Sequence, residues 1–138
     1  MTLKKYQMKT TLMNTELILQ DETDLIIGIG IEVHKILGAG FLEIVYKDAL
    51  EFELREKGYL FQRENEYAIP YKTIVLRHKF YADFVVFDKI ILEVKAKQGG
   101  ICDEDLAQTI NYLKVSGCKV GLIFNFAAAR LQIKRVVF

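Results

Sequence analysis

Apolar residues recur at helical spacing in three stretches of the chain, and this pattern predicts three helices. The predicted helices cover residues 24–37, 41–57 and 103–115. Thr23 or Asp21 is the expected cap of the first helix, and Gly58 is the expected stop of the second. Gly28 and Gly30 interrupt the first pattern, so they either weaken that helix or mark close backbone packing.

Six shorter apolar runs, rich in aromatic and β-branched residues, predict strands. They cover residues 59–67, 73–80, 81–87, 90–96, 119–126 and 131–138. Four of these strands precede the third helix and two follow it. This order predicts an α/β domain with a mixed central sheet flanked by helices.

The chain has 138 residues, of which 51% are hydrophobic and 27% are charged, as in ordinary globular domains. We expect one domain over residues 21–138, preceded by a flexible arm over residues 1–20. No membrane span or signal peptide is expected, and two cysteines without a CxxC motif suggest the reduced cytoplasm. The net charge of +1 means that any nucleic-acid surface must come from local clusters of Lys and Arg.

Three charges interrupt the central pair of apolar strands, where an ordinary buried hairpin has none. Glu93 and Lys95 lie two residues apart and therefore share one face of a strand. Asp83 lies among apolar residues on the preceding strand. The alternative interpretation of Glu93 and Lys95 alone, a solvated ion pair, is the more common one.

These charges form one site only if the hairpin has a particular register. A two-residue loop at Asp88 and Lys89 would place Asp83 opposite Val94, so that Asp83 and Glu93 would face opposite sides. A three-residue loop that includes Phe87, or a bulge, is required to bring the two acids together.

Polar residues on two helices are further candidates. Glu43 lies beside the apolar stripe of the second helix, although a surface pair with Lys47 is an alternative. Gln108 and Tyr112 are four residues apart on the third helix and share a face, where ordinary surface packing is the alternative.

The chain resembles a known family. Residues 34–50 resemble the signature of the GxxExxY protein family, whose naming residues match Gly40, Glu43 and Tyr46. Further matches lie in residues 81–83, 92–96, 108–113 and 121–126. This family is placed in the PD-(D/E)XK nuclease-like superfamily. The resemblance implies a restriction-endonuclease-like core of order α-β-β-β-α-β.

The resemblance also implies roles for the candidate residues. Asp83 corresponds to the lone acid of the superfamily, and Glu93 and Lys95 correspond to its (D/E)XK pair. Glu43 corresponds to the acid of the first core helix, and these acids with the Val94 carbonyl would hold Mg²⁺ or Mn²⁺. Gln108 and Tyr112 resemble the QxxxY helix of RecB-type nucleases; no site for an organic cofactor is assigned.

The leading hypothesis is therefore a metal-dependent nuclease that hydrolyses phosphodiester bonds of nucleic acid, with DNA favoured over RNA. The alternative is a catalytically inactive module that keeps the nuclease fold and binds nucleic acid or protein. A third option is a homo-oligomeric accessory protein, with the last strand, residues 131–138, as the edge of a homodimer interface.

Overall fold

The computed structural model describes residues 18–138, which form three helices and five strands. The helices are α1 (Gln20–Leu37), α2 (Glu43–Glu56) and α3 (Asp103–Ser116). The strands are β1 (Phe61–Tyr71), β2 (Ile74–Val86), β3 (Ile90–Lys95), β4 (Val120–Asn125) and β5 (Gln132–Val137). The arm predicted over residues 1–20 lies largely outside the described residues. Within residues 18–138, no helix is long and apolar enough to cross a membrane.

The five strands form one mixed sheet in the order β1-β2-β3-β4-β5. Strands β3 and β4 are parallel because α3 connects them as a crossover, and the other neighbours are antiparallel. The larger core lies between the sheet and helices α1 and α2, and a second core lies between the sheet and α3. The predicted mixed sheet flanked by helices is confirmed.

Strands β3 and β4, in the interior of the sheet, are buried on both faces. Leu92 faces the core under α1 and α2, whereas Ile91 faces the core under α3. All six residues of β4 are buried as well. Such double burial explains why β3 and β4 appear in the sequence as continuous apolar runs instead of alternating patterns.

The predicted break between residues 80 and 81 is wrong, because β2 is one continuous strand of 13 residues. Strand β1 pairs along its length, including Tyr67 with Phe80 and Glu66 with Tyr81, across the supposed break. Strand β1 also continues through Pro70, where the pairing shifts. Proline is tolerated there because β1 is an edge strand.

The predicted caps of α1 are also wrong. The helix begins one residue after Leu19, which makes no side-chain capping hydrogen bond. Thr23 is buried in the helix instead, where its hydroxyl donates to the Gln20 carbonyl at 3.0 Å and accepts from Arg135 Nη1 at 2.8 Å. The hydroxyl therefore connects α1 to β5.

The two glycines of α1 have different environments. A Cβ atom at Gly30 would lie 2.5 Å from the ring of Phe124 and 3.0 Å from Leu131, whereas one at Gly28 would meet nothing within 4 Å. Gly30 therefore allows close packing of α1 on the sheet, and Gly28 does not serve this purpose.

We expect Gly30→Ala to lower the free energy of unfolding by about 1–3 kcal/mol, because the added methyl group would displace a buried ring. Gly28→Ala is the matched control in the same helix, and it should raise stability by about 0.5–1 kcal/mol through helix propensity. Chemical denaturation measures both values. Equal effects of the two substitutions would show that α1 does not pack on Phe124 as described.

Candidate active site

The loop between β2 and β3 has three residues, Phe87, Asp88 and Lys89. Phe87 and Asp88 both adopt left-handed backbone conformations, with φ of 58° and 57°. The ladder pairs Val86 with Ile90, Val85 with Ile91, and Phe84 with Leu92. Continued by one residue, this register places Asp83 opposite Glu93. Of the two arrangements that would bring the acids together, a three-residue loop or a bulge, the structure has the three-residue loop.

Side chains continue the ladder beyond its last backbone pair. The Asp83 N–H donates to Glu93 Oε2 at 2.8 Å, and the Val94 N–H donates to Asp83 Oδ2 at 2.8 Å. Each carboxylate thus accepts a backbone hydrogen bond from the opposite strand. These two bonds hold the two acidic side chains beside each other between β2 and β3.

Asp83 lies where the β1-β2 pair rotates relative to the sheet. Phe84 belongs to the core under α1 and α2, but Ala82 and Phe80 pack with the core under α3. In a regular strand these three residues would share one face. Glu64, opposite Asp83 in the register, has a left-handed φ of 54°. Because of this rotation, Asp83 can contact α2 as well as β3.

Lys47 of α2 completes the charged cluster. Its Nζ donates to Asp83 Oδ1 at 2.9 Å and makes a second, short ion pair with Glu64. Burial alone would lower the pKa of Lys47, but hydrogen bonds to Glu64 and Asp83 outweigh burial and raise it. Lys47 is therefore a buried cation that neutralises Asp83.

Sequence reasoning missed this role of Lys47, and the surface pair of Lys47 with Glu43 does not form. The signal was present, because Lys47 lies three and seven residues before the buried Leu50 and Leu54. A lysine in line with an apolar stripe points toward the core and needs an acidic partner.

Glu43 is the first residue of α2 and is exposed. Its pKa is raised, first by partial loss of water contact and then by the negative charge of Asp83, while Lys95 and Lys47 act in the opposite direction. Glu43 is therefore an exposed carboxylate that responds to the charges of Asp83, Lys95 and Lys47.

The turn before α2 is shaped by Tyr46 and Gly40. The Tyr46 hydroxyl donates to the Gly38 carbonyl at 2.6 Å and accepts from the Phe41 N–H at 3.2 Å. Gly40 has φ of 108°, a conformation that other residues rarely adopt. In this motif Gly40 is therefore the turn residue and Tyr46 is the buried residue that stabilises the turn. Glu43, between them, is the acid near the site.

Lys95 extends from the end of β3 toward α3. Its Nζ donates to Gln108 Oε1 at 3.0 Å and lies 3.9 Å from Asp105 Oδ1. Asp105 itself pairs with Lys97 at 2.6 Å and accepts from the Cys102 N–H at the start of α3. Gln108 therefore orients the Lys95 ammonium, a contact that the sequence analysis did not predict.

Tyr112 is buried one turn after Gln108. Its ring makes an edge contact with Phe80, with ring centroids 5.7 Å apart. Burial raises the pKa of Tyr112, and the negative charges of Glu93 and Asp83 raise it further. The Tyr112 hydroxyl stays protonated at neutral pH and is available as a hydrogen-bond donor.

Glu93 is the most buried acid of the cluster, with 2% of its surface exposed. Burial raises the pKa of Glu93 well above its usual value, and the neighbouring charge of Asp83 raises it further. Lys95 and Lys47 only partly offset these effects. Two adjacent carboxylates in a buried position favour either a bound proton or a bound cation.

The donor chemistry of this pair fits a hard divalent cation. Among residues 18–138, no group of three or more His, Cys, Asp or Glu side chains is arranged to hold a metal ion, so Glu43 does not complete a three-ligand set with Asp83 and Glu93. Mg²⁺ commonly uses only one or two protein carboxylates, with water and phosphate as its other ligands. Asp83 and Glu93 supply that number.

Comparison with protein families identifies the superfamily of the chain. The model of the PD-(D/E)XK nuclease superfamily matches residues 20–136, which include all eight helices and strands except the last residue of β5. The chain belongs to this superfamily. Its core elements, α2, β1, β2, β3, α3 and β4, follow the expected order α-β-β-β-α-β, and α1 and β5 are additions.

The fold of this PD-(D/E)XK superfamily member also resembles that of a solved structure described as "Crystal structure of SSO0001". The two align with a TM-score of 0.56 and 19% identity, over 67% of this chain and 48% of that chain. The match thus spans about half the length of that chain, and at this identity it supports the restriction-endonuclease-like fold alone. Comparison with curated proteins gave no match.

We expect Tyr46→Phe to lower the free energy of unfolding by about 1 kcal/mol, because the Gly38 carbonyl and the Phe41 N–H lose their partner in part-buried hydrogen bonds. Tyr59→Phe is the control, since the Tyr59 ring packs on Phe87 and its hydroxyl has no hydrogen-bond partner within residues 18–138. Urea denaturation compares the two. A loss no larger for Tyr46→Phe than for the control would contradict the proposed stabilisation of the turn.

The raised pKa of Glu93 predicts a pH dependence of stability. Because folded Glu93 retains its proton at higher pH than unfolded Glu93, stability should fall as pH rises from the unfolded value toward the folded value. The slope of one such group is at most about 1.4 kcal/mol per pH unit.

Glu93→Gln should remove this decline, because glutamine carries no titrating proton. It should therefore be more stable than the wild type at neutral pH and similar to it near pH 4. Unfolding curves between pH 4 and pH 8, in EDTA to exclude metal, measure the difference. Parallel pH profiles for the two proteins would contradict the assignment of the raised pKa to Glu93.

Proposed function

We propose that this PD-(D/E)XK superfamily member is a Mg²⁺- or Mn²⁺-dependent nuclease of the GxxExxY type that hydrolyses phosphodiester bonds of nucleic acid in the cytoplasm. The observation that carries the proposal is the pairing of Asp83 with the buried Glu93, beside the ammonium group of Lys95. Burying two adjacent acids is costly unless a cation or a reaction requires them.

Asp83 and Glu93 would hold the metal ion, with Glu43 and the Val94 carbonyl as further candidate ligands. The bound ion would supply Lewis acidity at the phosphate and lower the pKa of a water molecule. The exposed position of Glu43 suits a ligand that reaches the ion through water.

As the ammonium, Lys95 would orient the attacking water and stabilise the negative charge of the phosphorane. Deprotonating that water would require the neutral amine form of Lys95. The hydrogen bond of Lys95 with Gln108 supports the role of the ammonium, because a fixed ammonium group needs no reorientation during the reaction. The protonated Tyr112 hydroxyl would donate to the scissile strand or to a water molecule in the site.

Lys47 would act through Asp83 as a positioning residue. By donating to Asp83 Oδ1, it leaves Oδ2 in contact with the Val94 N–H and fixes the plane of the carboxylate. It would also limit the negative charge of the site before metal binds.

The proposed substrate is DNA in preference to RNA. Formation of a homodimer through β5 is also part of the proposal.

The central experiment measures cleavage of labelled single- and double-stranded DNA and RNA with Mg²⁺, Mn²⁺ or EDTA. We expect cleavage that requires the metal ion. Lys95→Ala, Asp83→Asn and Glu93→Gln should each lower the rate by about 100-fold or more, as expected for groups that stabilise developing charge. Lys57→Ala, which changes an exposed lysine outside the site, is the matched control.

A thermal-shift measurement tests metal binding separately from activity. Mn²⁺ should raise the melting temperature of the wild type and of Lys57→Ala, but not that of Asp83→Asn or Glu93→Gln. If nothing is cleaved and no variant responds to metal, the alternative of an inactive binding module replaces the nuclease. Equal cleavage by the wild type and the site variants would point to a contaminating nuclease.

A further inference from the structure

The longest strands of the sheet, β1 and β2, extend beyond it as a two-stranded ribbon, residues 67–82. Only the base of this basic ribbon is packed, through the contact of Phe80 with Tyr112 and through Tyr67 in the same core. Farther out, Tyr71, Ile74 and Val75 are between 54% and 61% exposed. No other element of residues 18–138 covers this tip.

The charged residues of the basic ribbon are all basic. It contains three of the 19 basic residues of the chain, Lys72, Arg77 and Lys79, together with His78, and none of the 18 acidic residues. The rest of the chain has a slight excess of acidic residues. The basic ribbon is therefore positively charged although the net charge of the whole chain is near zero.

The cations of the basic ribbon are largely available to a partner. Lys72 and Arg77 take part in none of the ion pairs formed within residues 18–138, and Lys79 makes one exposed contact of 3.5 Å with Glu66. Arg77, His78, Lys79 and Tyr81 line an open depression of about 640 Å³. Arg77, Lys79 and Tyr81 occupy alternate positions and thus share one face.

From this charge complementarity we propose that the basic ribbon binds the phosphate backbone and major groove of double-stranded DNA and guides it to the candidate active site. This inference rests on the proposed function and specifies which surface binds its DNA substrate. A two-stranded β-ribbon fits the major groove of B-form DNA, whereas the deep, narrow major groove of A-form RNA excludes it.

The length and attachment of the ribbon agree with this binding mode. Asp83 lies nine positions after Ile74, so the ribbon reaches roughly 30 Å from the acid pair, close to one turn of duplex. Strand β2 forms one strand of the ribbon and also contains Asp83. A duplex that lies along the ribbon therefore meets the acid pair at its base.

The test is a fluorescence-anisotropy titration of a labelled 20-base-pair DNA duplex in EDTA, where binding is separated from cleavage. Arg77→Gln combined with Lys79→Gln should weaken binding about tenfold or more at moderate salt, and lower the slope of log K against log salt by roughly 2. Lys57→Gln combined with Lys119→Gln removes the same charge from exposed positions elsewhere and should leave both values near those of the wild type.

Three results would overturn the inference. The ribbon variant and the control variant could weaken binding equally, which would indicate a general charge effect. An RNA duplex of the same sequence could bind as tightly, with the same salt slope, which would exclude major-groove binding. Light scattering could show that Ile74→Ser with Val75→Ser converts a dimer to a monomer without changing DNA affinity, which would make the tip an interface between two copies.

The titration and the cleavage assay together separate this inference from the proposed nuclease activity. If the wild type cleaves nothing but the ribbon variant loses DNA binding, the inference holds and the nuclease proposal fails. If the wild type cleaves DNA but the ribbon and control variants bind equally, only the ribbon inference fails. Thermal melts of both double variants verify that each remains folded.

Discussion

The register between β2 and β3 is the constraint on which the rest of the site depends. It places Asp83 opposite Glu93, and two side-chain hydrogen bonds then fix the acids across the strands. A slip of one residue would turn one acid to the other face of the sheet. The left-handed loop at Phe87 and Asp88 therefore determines the chemistry of residues four or more positions away.

The acid pair also explains the distribution of positive charge around it. Burial and mutual repulsion disfavour ionised Glu93, and Lys47 from α2 and Lys95 from β3 offset this only in part. The two lysines come from different elements and have different partners, Asp83 for one and Gln108 for the other. The site therefore joins α2, β2, β3 and α3, and it needs all four to be packed correctly.

Strands β3 and β4 and the basic ribbon differ in burial in this PD-(D/E)XK superfamily member. Strands β3 and β4 are buried on both faces, so close packing limits the movement of the residues that they carry. The basic ribbon leaves the sheet at Asp83, where the β1-β2 pair rotates. Beyond this point the cations of the ribbon are exposed, and at it Asp83 contacts Lys47.

The sequence by itself determined the three helices, the buried strands and the condition that the hairpin loop have three residues, because side-chain periodicity and turn geometry are local properties. It also identified Asp83, Glu93 and Lys95 as charges in an apolar context. The tertiary structure decided the continuous β2 strand, the burial of Lys47 and the cap of α1. These features depend on partners distant along the chain: β1 for the strand, Glu64 and Asp83 for Lys47, and Arg135 for Thr23.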